Sequence, residues 1–313
     1  MTEVLVLTAP EEAQLPGLEQ LPESVTVTHV TDPASLKAGL CRADILVVTD
    51  FRTDLLADCW PTQSSIRWVH ATSAGIDTLR FPALWHSETL ITNARGVFNR
   101  GIAEYVLGAV LMFSKDFLGN LQHQQQHRWQ HRETRLLQDQ TALIVGAGSI
   151  GCDVGRLLGS MGMQVTGIAR SAREEPGFTG IHPQAELPER LPDADFVVIT
   201  APLTPATEGL FDDQLLTHIK PGAFLINVGR GPVVSTDALL QALDNGRLAG
   251  AALDVFEQEP LPPEHPLWDR PDVMISAHMA GDFVGWRQAL GEQFVENFYR
   301  WDKGEALLNP ITR

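Results

Sequence analysis

The sequence predicts an α/β protein built from two series of parallel strands, the second of them doubly wound. Three observations predict it. Apolar, strand-like runs recur about every 20 residues through the first 95 positions. A second alternating series begins at residue 142. A glycine-rich turn, VGAGSIG, stands at 145–151, where that second series opens.

The first series comprises VLVLT (4–8), VTVTHV (25–30), ILVV (45–48), IRWVH (66–70) and LITN (90–93). Its spacing suits βα units around a parallel sheet. No glycine-rich phosphate loop follows its first strand, so this part is an α/β domain without being the nucleotide site. Residues 101–118, GIAEYVLGAVLMFSKDFL, form a mostly apolar helical stretch, expected as one buried connecting helix. The second series runs ALIVG (142–146), QVTGIA (164–169), FVVIT (196–200), AFLINV (223–228), AALDV (251–255) and VMISAH (273–278). Six strands with helices between them fit a doubly wound sheet. The end of the chain, FVGWRQALGEQFVENFYRW, has apolar residues at helical spacing and is expected as one long helix.

Composition narrows the function. The 313 residues hold one large domain or two ordinary ones. A hydrophobic content of 44% and a charged content of 20% are those of a globular protein. No apolar run is long enough to span a bilayer, and MTEVLVLTAPEE lacks the basic flank of a secretory signal, so a cytoplasmic protein is expected. A net charge of −16 argues against a nucleic-acid partner, because a phosphate backbone wants a basic face. Cys41, Cys59 and Cys152 form no CxxC pair and read as free thiols. In LQHQQQHRWQHRET (121–134), His123, His127 and His131 fall four apart, so a helix would place them on one face. Histidines so spaced can hold a metal, but no Cys, Asp or Glu nearby supplies an obvious further ligand. A polar helix or linker is the expected reading, with no metal.

The turn at 145–151 is informative because of what surrounds it. Gly146, Gly148 and Gly151 follow the apolar strand TALIV and open the helix-like run CDVGRLLGSM. In a dinucleotide site the first glycine permits the tight turn. The second lets the backbone approach the pyrophosphate, and the third allows close helix–strand packing. The N–H groups at the helix start, around Ser149, Ile150 and Gly151, then face the phosphates. An NAD site places an acid at the end of the next strand, for the ribose 2′-hydroxyl. Here QVTGIA runs into Ala169-Arg170-Ser171-Ala172-Arg173. Arginines there can grip a 2′-phosphate, which a carboxylate would repel. NADP(H) is therefore expected in preference to NAD(H), with Arg170, Ser171 and Arg173 at the site. Two readings compete: Glu174 or Glu175 bent back to the ribose, and arginines that simply face solvent.

Three polar residues of the second half sit where ligands collect in an open parallel sheet, at the carboxyl ends of strands. Arg230 follows AFLINV, Glu259 lies five residues after Asp254 in ALDVFEQEPLP, and His278 ends VMISAH. Singly, each has an ordinary explanation: a surface Arg, a solvated Glu, a hydrogen-bonded core His. Together, downstream of a dinucleotide turn, they are the groups that hydride transfer to a 2-keto acid requires.

With these residues the sequence resembles the D-isomer-specific 2-hydroxyacid dehydrogenases. The resemblance covers nearly the whole second half, including TAPLTPATEGLF (200–211). It reaches the first half at ATSAGIDTL (71–79) and NARGVFNRGIAEYVLG (93–108). It implies a Rossmann-type doubly wound sheet inserted into a flavodoxin-like α/β substrate domain. Residues 1–97 with 284–313 would form the substrate domain, and 98–283 the dinucleotide domain. It further implies a cleft between the lobes, a homodimer, and a catalytic set falling on Arg230, Glu259 and His278. Ser73, Ala74 and Gly75 would hold the substrate carboxylate through backbone N–H groups, beside Arg230 and His278. Asp254 would hold the nicotinamide carboxamide, and Pro202, Thr207, Val228 and Gly229 would border the cofactor.

The arginine pair looks like the glyoxylate and hydroxypyruvate reductases of the family. Phe51 and Phe98 are candidates to shape a small pocket, and Trp129 to reach across a dimer; each is also readable as plain packing. Larger 2-keto acids remain an alternative. Formate oxidation is disfavoured because Glu259 stands where that branch has glutamine. Phosphite oxidation and a nucleotide-sensing corepressor are the further alternatives.

Overall fold

A computed structural model describes residues 2–10, 12–49 and 55–312. Phe51 lies outside the described residues. The chain divides into two compact units, Met1–Phe98 with Phe283–Arg313, and Asn99–Asp282. The second is thus inserted in the sequence of the first.

The first unit carries strands β1 (Thr2–Leu7), β2 (Val25–Val30), β3 (Ile45–Val48), β4 (Trp68–Ala71) and β5 (Leu90–Asn93). They form one parallel sheet in the order β2-β1-β3-β4-β5, the flavodoxin-like order. Helices α1 (Pro33–Leu40), α2 (Leu55–Cys59) and α3 (Pro82–Trp85) lie between strands. The central strands read as unbroken apolar runs because both faces are covered. On one face Leu5, Leu7, Leu46 and Val48 pack with Leu36, Leu40 and Leu56. On the other, Val4, Val6, Ile45 and Val47 meet Leu290, Phe294 and Phe298 of the terminal helix, Trp286–Asp302. That helix starts behind Gly285, at φ 93, a conformation glycine tolerates at a helix end. The expected helix from 283 therefore begins three residues later.

The second unit carries β6 (Thr141–Val145), β7 (Gln164–Ala169), β8 (Gly180–Pro183), β9 (Phe196–Ile199), β10 (Ala223–Asn227), β11 (Leu248–Leu253) and β12 (Val273–Ile275). The order is β12-β11-β10-β9-β6-β7-β8, all parallel. This is the doubly wound pattern, with its switch point between β6 and β9. Six strands were expected and seven form. The extra one, β8, is the edge strand GIHP, whose short length and terminal Gly and Pro hide it. Its helices are α4 (Asn99–Ser114), α5 (Phe117–Gln125), α6 (Ser149–Ser160), α7 (Leu187–Arg190), α8 (Asp213–Leu216) and α9 (Thr236–Asp244); α10 is the terminal helix of the first unit.

The single helix expected over 101–118 is instead two. The break falls at Asp116, at φ 51, whose carboxylate caps Gly119 N–H and pairs with Arg132 at 2.6 Å. Helix α5 then ends at Gln125 and His127 turns left-handed at φ 52. His123, His127 and His131 therefore do not share a helix face. Among the described residues no group of three metal-ligating side chains forms, and no helix is long and apolar enough to cross a membrane.

Candidate functional site

The carboxyl ends of β6, β9, β10, β11 and β12 bring most of the expected residues together within the second unit. At the switch point, Gly146 turns at φ 104, and a Cβ there would stand 2.4 Å from Ala201 N. Only glycine fits, so the turn after β6 seats directly on the loop after β9. Gly151 is equally constrained: a Cβ would meet Gly146 O and the Thr200 side chain, so α6 packs tightly behind its turn. Gly148 differs. Its Cβ position has no atom closer than 3.9 Å, and it caps α6. A backbone open on that side, followed by the N–H groups of Ser149, Ile150 and Gly151, which have no acceptor one turn back, fits a bound pyrophosphate.

The side chains after β7 diverge. Arg170 and Ser171 are exposed, and Arg170 has no side-chain partner among the described residues. Arg173 folds back instead, donating to Ala147 O inside the glycine turn and lying 3.5 Å from Cys152 Sγ. Glu175 is held by Arg156 at 3.3 Å and Arg173 at 3.8 Å. It is thereby committed to arginines, as the competing ribose reading did not foresee. Glu174 is exposed.

Around Arg230 the backbone is wedged. A Cβ at Gly229 would lie 2.7 Å from Ala201 O, and one at Gly231 would overlap the Phe256 carbonyl. The turn after β10 therefore lies against the loops after β9 and β11. Asn227 clamps it from below, donating to Arg230 O at 3.1 Å and accepting from Gly229 N–H at 3.0 Å. Arg230 Nη1 donates to Gly229 O. Val228 is buried beside it. Pro202 and Thr207 share the loop after β9, where the Thr207 hydroxyl donates to Pro202 O at 2.6 Å.

His278 does not end a strand. β12 stops at Ile275, and His278 sits in the turn beyond it at φ 50. Its Nδ1 is 2.7 Å from Glu259 Oε2, while Glu259 Oε1 accepts from Phe256 N–H at 2.8 Å. Both side chains are about one-third exposed, the histidine 34% and the glutamate 30%. The hydrogen bond and charge of Glu259 raise the imidazole pKa from its ordinary 6.5, against burial and the nearby Arg230 charge. Burial pushes the Glu259 carboxyl up, but the bonds from His278 and Phe256, with the charges of His278 and Arg230, outweigh it and leave it lowered. The result is a partly accessible imidazole whose charged form is favoured by the carboxylate behind it, with a guanidinium close enough to act on both.

Asp254, 2% exposed, closes the arrangement. Its carboxylate accepts from Ser276 Oγ at 2.5 Å and from Met279 N–H and Ala280 N–H at 2.9 Å each. Its carbonyl accepts from His278 N–H at 2.8 Å. Sequence reasoning missed this loop-folding role, and missed Asn227 and Tyr105, whose hydroxyl lies 2.6 Å from Ser276 Oγ. An Asn at a strand end, able to bond the N–H two residues on as it does with Gly229, is a readable turn signal; the Tyr105–Ser276 pairing, 171 residues apart in sequence, has none.

In the first unit, Ser73, Ala74 and Gly75 follow β4. Their carbonyls are engaged: Ser73 O by Ala94 N–H, Ala74 O by Asn93 Nδ2 at 2.5 Å, and Gly75 O by the Ser73 hydroxyl. Their N–H groups donate to no acceptor among the described residues. Phe98 packs against Trp286, ring centroids 6.1 Å apart. Trp129 is fully exposed.

A doubly wound sheet with a glycine turn at its switch point, and an Arg–Glu–His set in the turns and loops that follow the neighbouring strands, defines a dinucleotide-binding α/β protein. The chain belongs to the D-isomer specific 2-hydroxyacid dehydrogenase family, whose NAD-binding domain model matches residues 107–280. A glyoxylate reductase of Thermofilum pendens is 31% identical over 94% of this chain and 91% of its own. A solved D-isomer specific 2-hydroxyacid dehydrogenase family protein from Aeromonas salmonicida is 32% identical, covering 100% and 99% of the two chains, with a TM-score of 0.85. The NADPH-dependent glyoxylate/hydroxypyruvate reductase of Sinorhizobium meliloti, solved with NADP and sulfate, is 28% identical, covering 99% and 98%, with a TM-score of 0.88.

Proposed function

We propose that the protein is an NADP(H)-dependent reductase of small 2-keto acids, of the glyoxylate and hydroxypyruvate kind, yielding D-2-hydroxy acids. The observation that carries the reading is the 2.7 Å His278–Glu259 pair, anchored on Asp254 and lying within the field of Arg230. A nicotinamide cofactor, when bound, would supply the hydride that the keto carbon receives. Arg230 pairs with the substrate carboxylate and polarises the keto oxygen. His278, charged, gives its Nε2 proton to that oxygen, and Glu259 stabilises the charged imidazole before transfer. The free N–H groups of Ser73, Ala74 and Gly75 support their role as further donors to the carboxylate. Of the roughly four lone-pair sites of the Asp254 carboxylate, the three bonds leave one on Oδ2 for the carboxamide.

For the cofactor, Gly148, Ser149, Ile150 and Gly151 would hold the pyrophosphate, with Pro202, Thr207, Val228 and Gly229 along the neighbouring strand ends. Arg170 and Ser171, free and exposed, would meet the 2′-phosphate. The NADP held by the Sinorhizobium relative supports the same choice. The two arginines should separate on mutation. Arg170→Ala is expected to raise KM for NADPH about tenfold or more, the loss of one charged hydrogen bond, and to leave KM for NADH unchanged. Arg173→Ala removes a strut of the glycine turn and should raise both. Steady-state kinetics with each cofactor decides this; an Arg170→Ala chain with unaltered NADPH affinity would contradict the assignment.

The pH dependence has a definite sign. The acid must be charged for reduction and neutral for oxidation. Because Glu259 raises the imidazole pKa above 6.5, reduction should fall as pH rises through that raised value, and oxidation should rise across the same window. Glu259→Gln should move both midpoints to lower pH. Flat profiles in both directions, with chemistry rate-limiting, would remove His278 from the role.

A homodimer belongs to the same proposal. Phe117, Leu121 and Leu136 are all about half exposed, and Trp129 is wholly so. These side chains within 20 residues of one another are apolar surface suited to a second copy. Sedimentation at micromolar concentration tests it, and a monomer is the contrary result.

A further inference from the structure

Helix α4 meets both working turns of the second unit. At its first residue, the Asn99 amide donates to the Ser149 hydroxyl at 2.8 Å and to Ser149 O at 3.3 Å, where α6 begins. Gly101 lies against the turn after β12: a Cβ there would stand 2.9 Å from Gly281 O. Tyr105, four residues on and therefore on the same helix face, reaches Ser276 at the start of that turn.

The direction of the bonds follows from the donors. A carboxylate only accepts, so Ser276 spends its one proton on Asp254 Oδ1. The Tyr105 hydroxyl must then donate to Ser276 Oγ. Burial pushes the Tyr105 hydroxyl pKa up to about 12, against the bond to Ser276, so it stays a donor at working pH. The chain runs from Tyr105 to Ser276 to Asp254, and Asp254 holds Met279 N–H, Ala280 N–H and His278 N–H. His278 needs this external hold, because a non-glycine residue at φ 50 persists only where its surroundings enforce it.

We propose that Tyr105 is a positioning residue for the proton donor: through Ser276 and Asp254, its hydroxyl keeps the 276–280 turn in the shape that presents His278 to Glu259. The proposal rests on the reading of His278 as the acid. Among the described residues, the charged groups that act on the imidazole include Glu259, Arg230 and Asp254. Tyr105→Phe alters none of them, so any change in the imidazole's titration reports geometry.

The test uses the full chain with Tyr105→Phe, Ser276→Ala and the double variant. The His278 imidazole is titrated by NMR, its signal identified by its loss in His278→Gln, and 2-keto acid reduction is followed in parallel. Each single variant is expected to bring the imidazole midpoint back toward the ordinary histidine value. Each should also lower kcat by about fivefold to tenfold, the loss of one hydrogen bond, with cofactor affinity within about twofold. The double variant should be no worse than Ser276→Ala, since both act through one chain. A Tyr105→Phe chain with parental titration and kcat overturns the proposal. So does one that loses only thermal stability, and so do effects that simply add. If Tyr105→Phe fails to fold, the Ser276→Ala midpoint decides: a shift supports the chain and no shift overturns it. A parent with a raised imidazole midpoint but no keto acid turnover would sink the reductase reading while leaving the positioning result to stand or fall on the NMR shift.

Discussion

His278→Gln is expected to lose about 10²- to 10⁴-fold in kcat for keto acid reduction, the range for removing a general acid, while binding NADPH as tightly as the parent chain. The expectation rests on placement. The imidazole is fixed through Nδ1 at 2.7 Å from Glu259, and the acid role proposed for it uses the other ring nitrogen, Nε2. Glutamine retains hydrogen-bonding capacity at that position but has no proton to release at neutral pH. Cofactor binding should survive because the glycine turn at Gly146–Gly151 and the loop after β9 are built without His278. Stopped-flow reduction with saturating NADPH, set beside a fluorescence titration of cofactor, separates the two quantities. Near-parental turnover would refute the acid role outright.

The second large effect belongs to Arg230. Arg230→Ala should reduce kcat/KM for a small 2-keto acid by about 10³-fold, equivalent to roughly 4 kcal/mol of transition-state stabilisation. Two losses combine: the anchor for the carboxylate, and the positive charge beside the oxygen on which charge develops. Arg230→Lys should recover only part, because an ammonium lacks the planar fork that meets a carboxylate with two parallel bonds. The backbone should hold in both variants. Asn227 clamps the Arg230 turn through main-chain atoms, and Gly229 and Gly231 seat it through their missing side chains. Initial rates against substrate concentration give the answer; a change confined to KM in Arg230→Ala would restrict the residue to uniform binding.

Much of the fold is legible in the residues because central parallel strands have no polar face to disguise them. ILVV, FVVI and AFLIN are buried on both sides and read directly as strands. Legibility fails where local chemistry overrides the apolar pattern. β8 is a short edge strand ending in Pro183. The helix expected to continue past Ser114 breaks because Asp116 adopts a left-handed conformation and caps the next helix with its own carboxylate. β12 ends early because the backbone after Ile275 turns to wrap Asp254, which moves His278 from a strand end onto a turn.

The site divides the same way. Gly146, Gly148 and Gly151 are readable from their spacing in a strand–turn–helix context: Gly146 and Gly151 answer steric demands, and Gly148 leaves the backbone open. Arg230, Glu259 and His278 are readable as polar residues that follow apolar strands, although the structure sets them in the turns and loops beyond the strand ends. The separate fates of Arg170 and Arg173 are not, since a side chain's choice between solvent and Ala147 O depends on how the loop closes. Nor is the part played by Tyr105, whose partner is set by the packing of α4 across the turn after β12.

The central claim is the pairing of this site with NADPH and a small 2-keto acid. Its most direct test is the initial rate of NADPH and NADH oxidation, measured side by side with glyoxylate, hydroxypyruvate, pyruvate and a bulky 2-keto acid. Fast turnover of glyoxylate and hydroxypyruvate with a strong preference for NADPH is the predicted result. Tight cofactor binding with no turnover of any of the four acids would contradict it.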